Sequence, residues 1–150
     1  MRKEQIEAVR ELRNQVPEAF GRSATEEEIV NAEGKLGVEL LNEYKVFLKE
    51  FGSGGVGNAI ILGLSEAEFV ATPSFVDISL EIRKEFYKDI PEYGDIVVIG
   101  IDGSGNPVGY LPDSPTIFVH DHDFGGRYNL ASDFSDYVDK ALNGTLEVSF

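Results

Sequence analysis

Apolar residues recur at helical spacing, separated by charged residues, along the first third of the chain. One such stripe predicts a helix over residues 3–16, and it consists of Ile6, Val9, Leu12 and Val16. Pro17 follows directly and is expected to end this helix. A broader apolar face predicts a further helix from about Asn42 to Phe51, and it includes Leu40, Leu41, Tyr44, Phe47 and Leu48.

Between these two helices the sequence carries a complete set of helix boundary signals. Thr25 is predicted to cap the helix, and Glu28, three residues later, completes the pattern of a capping box. Ile29, Ala32 and Leu36 supply the buried stripe of this second helix. Gly37 then suits a left-handed residue that ends it.

The rest of the chain alternates short apolar runs with turn residues, which is typical of strands joined by tight turns. Residues 52–57 are rich in glycine and are predicted to form a flexible loop. Strands are predicted at residues 59–62, 69–71, 95–101, 107–111 and 116–120, and helices at residues 79–90 and 132–143. The short turns predict one α+β domain over residues 1–150, with a mixed, mainly antiparallel sheet packed against the N-terminal helices and a C-terminal helix.

Composition narrows the classes of function. The 150 residues include 13 basic and 27 acidic side chains, for a net charge of −14. Such a surface repels phosphate backbones, so we expect no nucleic-acid partner, and it favours a basic protein partner. Solubility alone is the alternative explanation of the charge. The chain has no cysteine, no apolar run of membrane-spanning length and a charged beginning, so we expect no disulfides, no membrane span, no secretory signal and a cytoplasmic location.

Three short patterns that suggest catalysis or ligand binding fit their usual contexts poorly. The glycine-rich residues 52–57 follow a predicted helix and precede a strand, the reverse of a phosphate-binding loop. Gly63 to Ala67 weakly resembles a nucleophile elbow around Ser65, but the chain is too short for the hydrolase fold that carries one. Residues 102–113 lack the glycine and the final glutamate of a calcium loop, and a hairpin turn explains them better.

Both histidines of the chain lie in the run His120-Asp121-His122-Asp123. On a strand, His120 and His122 would point to the same face, where two imidazoles could share a divalent metal with an aspartate such as Asp102 or Asp113. The alternative is a polar strand end with no metal, and we favour it. We therefore expect no cofactor and no metal.

Six segments in the same order resemble the SUKH superfamily, which contains fungal cell-wall-synthesis regulators and many bacterial toxin-immunity proteins. These segments are residues 25–54, 60–64, 96–105, Tyr110, 119–123 and 130–138. Two departures are visible: Leu40-Leu41 stands where the family commonly has Leu-Pro, and the chain has no tryptophan.

The resemblance implies a non-catalytic α+β domain that binds another protein. For bacterial members it implies an immunity protein that neutralises the toxic domain, often a nuclease, of a polymorphic toxin. We expect a monomer or weak dimer whose partner surface lies in the β-rich half and includes Asp102, Tyr110, Asp113, Asp121, Asp123 and Phe124. The alternatives are a regulatory scaffold in cell-wall assembly or signalling, and a small enzyme built on the two histidines. Residues 145–150 remain open as a strand, a frayed end or a partner contact.

Overall fold

The computed structural model describes residues 1–64, 74–123 and 125–146. Its helices are α1 (Lys3–Gln15), α2 (Glu26–Leu36), α3 (Asn42–Phe51), α4 (Phe75–Glu85) and α5 (Phe134–Leu142). Its strands are β1 (Gly54–Val56), β2 (Ala59–Ile61), β3 (Val97–Ile101), β4 (Pro107–Tyr110), β5 (Ile117–Asp121) and β6 (Gly126–Ala131). Two short 3₁₀ helices span Pro17–Ala19 and Pro91–Asp95. Within these described ranges, no helix is long and apolar enough to cross a membrane.

The six described strands form one sheet in the order β1-β2-β3-β4-β5-β6, and every neighbouring pair is antiparallel. Each strand therefore pairs with the one that precedes it in the chain, as short connections favour. The predicted α+β class with an antiparallel-rich sheet is confirmed.

The prediction of a flexible glycine-rich loop at residues 52–57 is wrong, because Gly54 and Gly55 pair with Ile61 and Ile60 in strand β1. The Phe20 ring lies 2.4 Å from where a Cβ of Gly54 would stand, so a side chain at this position would displace the ring. Phe20 also bridges to Gly54 and covers the outer edge of β1. Gly54 thus permits a close approach of backbone and ring.

Two other boundaries differ from the prediction. Helix α4 begins at Phe75 and ends at Glu85, earlier than the predicted residues 79–90, because the Ser74 hydroxyl accepts a hydrogen bond from the Asp77 amide and caps the helix. Strand β6 was not predicted at all, since its exposed residues 127–129 give no alternating apolar pattern. The predicted strand at 69–71, Ser65 and residues 147–150 lie outside the described residues.

The two faces of the sheet are covered by different elements. Phe118 and His120 point to one face, where Phe86 and Tyr93 from the segment after β2 pack against them. Tyr110 points to the other face, and its hydroxyl accepts a hydrogen bond from the Leu41 amide at 3.2 Å. The helices that carry the core aromatic side chains lie on this second face.

Aromatic rings join α3 and α5 in the core. Tyr44 lies 5.4 Å from Phe134 between ring centroids, and Phe47 lies 5.9 Å from the same ring. Tyr44 also donates its hydroxyl to the Leu62 carbonyl at 2.6 Å, which ties α3 to the end of β2. Burial raises the pKa of Tyr44 far above its usual range, so the phenol stays neutral and remains a donor.

Arg83 holds α4 in place by binding backbone carbonyls. Its Nε donates to the Ile96 carbonyl at 3.0 Å and its Nη1 to the Leu36 carbonyl at 2.7 Å. Helix α4 is thus fastened both to the start of β3 and to the end of α2. Burial lowers the pKa of Arg83 from its usual value.

Candidate partner-binding surface

The antiparallel topology separates the four predicted aspartates. The β3–β4 and β5–β6 turns lie at one end of the sheet, so Asp102, Asp121 and Asp123 are at that end. The β4–β5 turn, which carries Asp113, lies at the opposite end. Strand β5 separates the ends by roughly 16 Å, from five residues at about 3.3 Å each. A protein interface of ordinary size can cover both ends.

Asp102 folds its own turn. Its carboxylate accepts hydrogen bonds from the Ser104 amide at 2.9 Å, the Asn106 amide at 2.9 Å and the Asn106 side-chain amide at 3.2 Å. The side chain is half-buried. These hydrogen bonds use much of the accepting capacity of the carboxylate. Asp102 therefore stabilises the conformation of its turn and is less available to a partner than an exposed aspartate.

Asn106 connects this turn to the next one. Its side-chain oxygen accepts a hydrogen bond from the His122 amide at 3.0 Å and lies 2.6 Å from His122 Nδ1. Because an amide oxygen only accepts, Nδ1 is the donor in this contact. Asp102, Asn106 and His122 thus form a chain of hydrogen bonds that holds the β3–β4 and β5–β6 turns together.

The other predicted residues are not equally accessible. Asp113 and Asp123 are exposed. Asp121 is only 3% exposed, and it accepts a hydrogen bond from the Asp123 amide. Tyr110 is fully buried, and burial raises its pKa to about 12. In this conformation Asp121 and Tyr110 therefore support the surface from below; Phe124 lies outside the described residues.

The two histidines lie in an aromatic cluster. His120 is 3% exposed, and its Nδ1 lies 2.8 Å from the Tyr93 hydroxyl. The Phe86 ring packs edge-on against the His120 ring, with 4.7 Å between their centroids. The His122 ring is nearly perpendicular to the His120 ring, with 5.8 Å between their centroids. Among the described residues, no group of three or more His, Cys, Asp or Glu side chains is placed to hold a metal ion. The cluster packs β5 against α4 and the 3₁₀ helix that follows it.

His120 should make stability depend on pH. Burial, followed by the charges of His122 and Arg127, lowers the pKa of His120 from its ordinary 6.5, while Asp121 and Glu85 oppose this shift. As pH falls below that ordinary value, the unfolded chain binds a proton that the folded chain does not, so the folded state loses stability. We expect the melting temperature to fall between about pH 7.5 and about pH 5.5.

Substitution separates this contribution from that of other groups. His120→Gln should show a smaller fall in melting temperature over the same interval than the wild type. Equal falls in His120→Gln and the wild type would contradict the assignment. Thermal unfolding followed by circular dichroism measures both proteins.

Sequence reasoning did not identify Arg127. This residue lies on strand β6 and pairs with His120, so its side chain is on the sheet face that carries Phe118 and His120. Its guanidinium carbon is 5.3 Å from the centroid of Phe118 and 5.7 Å from that of Tyr93. One guanidinium nitrogen lies 3.8 Å from Glu92. We use the term Arg127 face for the surface formed by Leu111, Ser114, Thr116, Phe118, Arg127 and Asn129. The signal in the sequence was that Arg127 is the one basic residue between positions 97 and 131.

Basic side chains are distributed unevenly along the chain. The helical half carries basic side chains paired with carboxylates, as in Arg2–Asp139, Arg10–Glu50, Arg22–Glu28, Lys45–Glu33 and Lys49–Glu26. Residues 97–131, which form most of the sheet and its turns, contain Arg127 against Asp102, Asp113, Asp121 and Asp123. This part of the chain therefore has a net charge of −3, while the remaining residues hold 12 basic against 23 acidic side chains, a net charge of −11.

Comparison with known proteins agrees with the fold. No curated protein gives a significant match to the chain. The sequence profile described as the SMI1 / KNR4 family (SUKH-1) matches residues 23–140. This match covers helices α2, α3 and α4, most of α5 and all six strands described above. The chain therefore belongs to the SMI1 / KNR4 family (SUKH-1).

Proposed function

We propose that this SUKH protein is a non-catalytic immunity protein that binds and neutralises the toxic domain, a nuclease, of a bacterial polymorphic toxin. Membership of the family supports a role in protein binding, either as an immunity protein or as a regulator. The Asp102–Asn106–His122 chain and the buried His120 cluster serve structural contacts, which agrees with a binding surface that performs no reaction.

The observation that carries the proposal is that Asp113 and Asp123 are exposed in the turns of residues 97–131, where Arg127 is the one Lys or Arg residue. A nuclease binds a polyanion and therefore carries a basic cleft. An acidic surface of matching size can be steered onto that cleft and can occupy the path of the phosphates. The exposed Asp113 and Asp123, at opposite ends of strand β5, would lie at the two ends of this contact.

Charge reversal tests this steering. Asp113→Lys combined with Asp123→Lys should slow association with the toxic domain encoded by the neighbouring gene by about tenfold at low salt, with a much smaller effect at high salt. Asp121 is left unchanged because it is buried and bonded to its own turn. Stopped-flow fluorescence at several ionic strengths measures the association rates.

The matched control is Glu7→Lys combined with Glu39→Lys, which changes the net charge equally at exposed positions outside the sheet. It should slow association by less than about threefold, since the local field and not the total charge guides the encounter. Equal slowing by the two double variants would assign the effect to net charge alone and would reject this surface.

The family also contains regulators, so a regulatory or scaffold domain in cell-wall assembly or signalling is the alternative function. The two functions differ in what happens to the partner. An immunity protein abolishes the toxicity of its partner, whereas a scaffold binds without inhibiting. Assaying nuclease activity of the toxic domain with and without this protein separates them.

A further inference from the structure

We propose that Arg127 binds a carboxylate of the toxic domain and thereby makes the acidic surface selective. The inference rests on the proposed function and names the chemistry of one contact within it. An acidic surface alone would attract any basic protein. A cation within it admits only a basic surface that presents a carboxylate at the matching position, since a second cation there would be repelled.

The guanidinium of Arg127 is held in place but has free donors. The rings of Tyr93 and Phe118 orient it from the protein side, and the side chain is 41% exposed. In the described parts of the chain, Arg127 makes no hydrogen bond, and its contact with Glu92 is long at 3.8 Å. An arginine has five donors in a rigid plane, and two of them match a carboxylate. Little conformational entropy remains to be lost on binding.

The surroundings of Arg127 have room for an incoming side chain. On one side of the Arg127 side chain, the Arg127 face forms an open depression of about 360 Å³, which is also lined by Ser114, Thr116 and Asn129. On the other side, a smaller depression of about 200 Å³ runs between Arg127 and Asp89. Arg127 thus separates two hollows and can be reached from both of them.

The charges around Arg127 identify the occupant. Asp113 and Asp123 lie at the two ends of the hairpin, and Glu92 and Asp89 lie along its side. This acidic rim excludes a polyanion such as nucleic acid. A basic protein surface with one carboxylate inside it complements both the acidic rim and Arg127. Nuclease clefts meet this requirement when carboxylates hold their metal ion.

A peptide experiment tests the carboxylate site without the toxin. The probe is acetyl-Lys-Glu-Lys-amide, and its control is the same peptide with glutamine instead of glutamate. In ¹H–¹⁵N spectra of the full chain, the glutamate peptide should shift the Arg127 side-chain Nε–Hε signal at least about threefold more than the glutamine peptide. Arg10→Gln, which removes a guanidinium paired with Glu50 elsewhere, should keep the response.

Glu92 provides a second variant, because it competes for the guanidinium at 3.8 Å. Glu92→Gln should strengthen the response to the glutamate peptide by about twofold or more, whereas a site elsewhere would not respond. Equal shifts of the Arg127 signal with both peptides, or no shift with either, would overturn the carboxylate site.

The complex with the toxic domain of the neighbouring gene tests selectivity. Arg127→Gln should speed dissociation by tenfold or more and leave association within about threefold, since a desolvated arginine contact acts on the lifetime of a complex. If the wild type binds and Arg127→Gln dissociates at the wild-type rate, this inference fails and the proposed function stands. If the wild type does not bind the toxic domain, both the proposed function and this selectivity fail. The existence of a carboxylate site at Arg127 is then decided by the peptide experiment.

Discussion

Replacement of Phe134 by alanine should lower the free energy of unfolding by about 3–5 kcal/mol. Phe134 is 1% exposed and lies at the start of α5, where its ring contacts Tyr44 and Phe47 of α3 and Tyr137 of its own helix. The substitution removes a ring that these aromatic side chains surround, and close-packed neighbours fill such a cavity only in part. Urea unfolding at neutral pH measures the loss.

Tyr87→Ala is the matched control, because it removes an aromatic side chain that is 70% exposed. Its effect on the free energy of unfolding should stay within about 0.5 kcal/mol. A loss below about 1 kcal/mol for Phe134→Ala would contradict the packing of α5 onto α3. The slope of the free energy of unfolding against urea concentration should be the same in the wild type and both variants. An equal slope shows that each protein exposes the same amount of surface on unfolding.

Gly52→Ala should destabilise the fold by more than about 3 kcal/mol, an unusually large effect for one added methyl group. Gly52 ends α3 with φ of 75° and ψ of −68°, a conformation that residues with a Cβ avoid. A Cβ at this position would also lie 1.9 Å from the Arg22 carbonyl oxygen, which is backbone and cannot move aside. The chain between α1 and α2 would have to separate from the end of α3.

Gly34→Ala adds the same methyl group inside α2, where nothing lies within 4 Å of the new Cβ. Alanine favours a helix more than glycine does, so this variant should gain about 0.5–1 kcal/mol. Comparing the two variants by urea unfolding separates local backbone geometry from the general effect of replacing glycine. Similar stability changes in both would contradict the close approach at Gly52.

The helices of the N-terminal half could be predicted because their signals are local. Thr25 and Glu28 form the predicted capping box, with both reciprocal hydrogen bonds, and Gly37 adopts the left-handed conformation with φ of 70°. Strands β1 and β6 pair with the adjacent strands β2 and β5, but their own residues give no alternating apolar pattern. Gly54 becomes a strand residue only because Ile61 and Phe20 lie beside it, and no local pattern shows that pairing.

The acidic residues of the proposed binding surface could be predicted from the sequence, but their burial could not. The sequence indicated acidic turns in the β-rich half, and Asp113 and Asp123 are exposed there. Whether a residue in a short strand or turn is buried depends on the register, which placed Tyr110 and Asp121 inside. Arg127 acquires its environment from Tyr93, 34 positions earlier in the chain, so the contact required the fold.

The central claim is that this protein neutralises a toxic domain by binding it. The most direct test is co-expression with the toxic domain encoded by the neighbouring gene, with survival scored first and co-purification second. We predict survival together with a stable complex, and loss of survival when the toxic domain is expressed alone. Cell death in the presence of folded protein and active toxic domain, without a complex, would contradict the claim and favour the regulatory function.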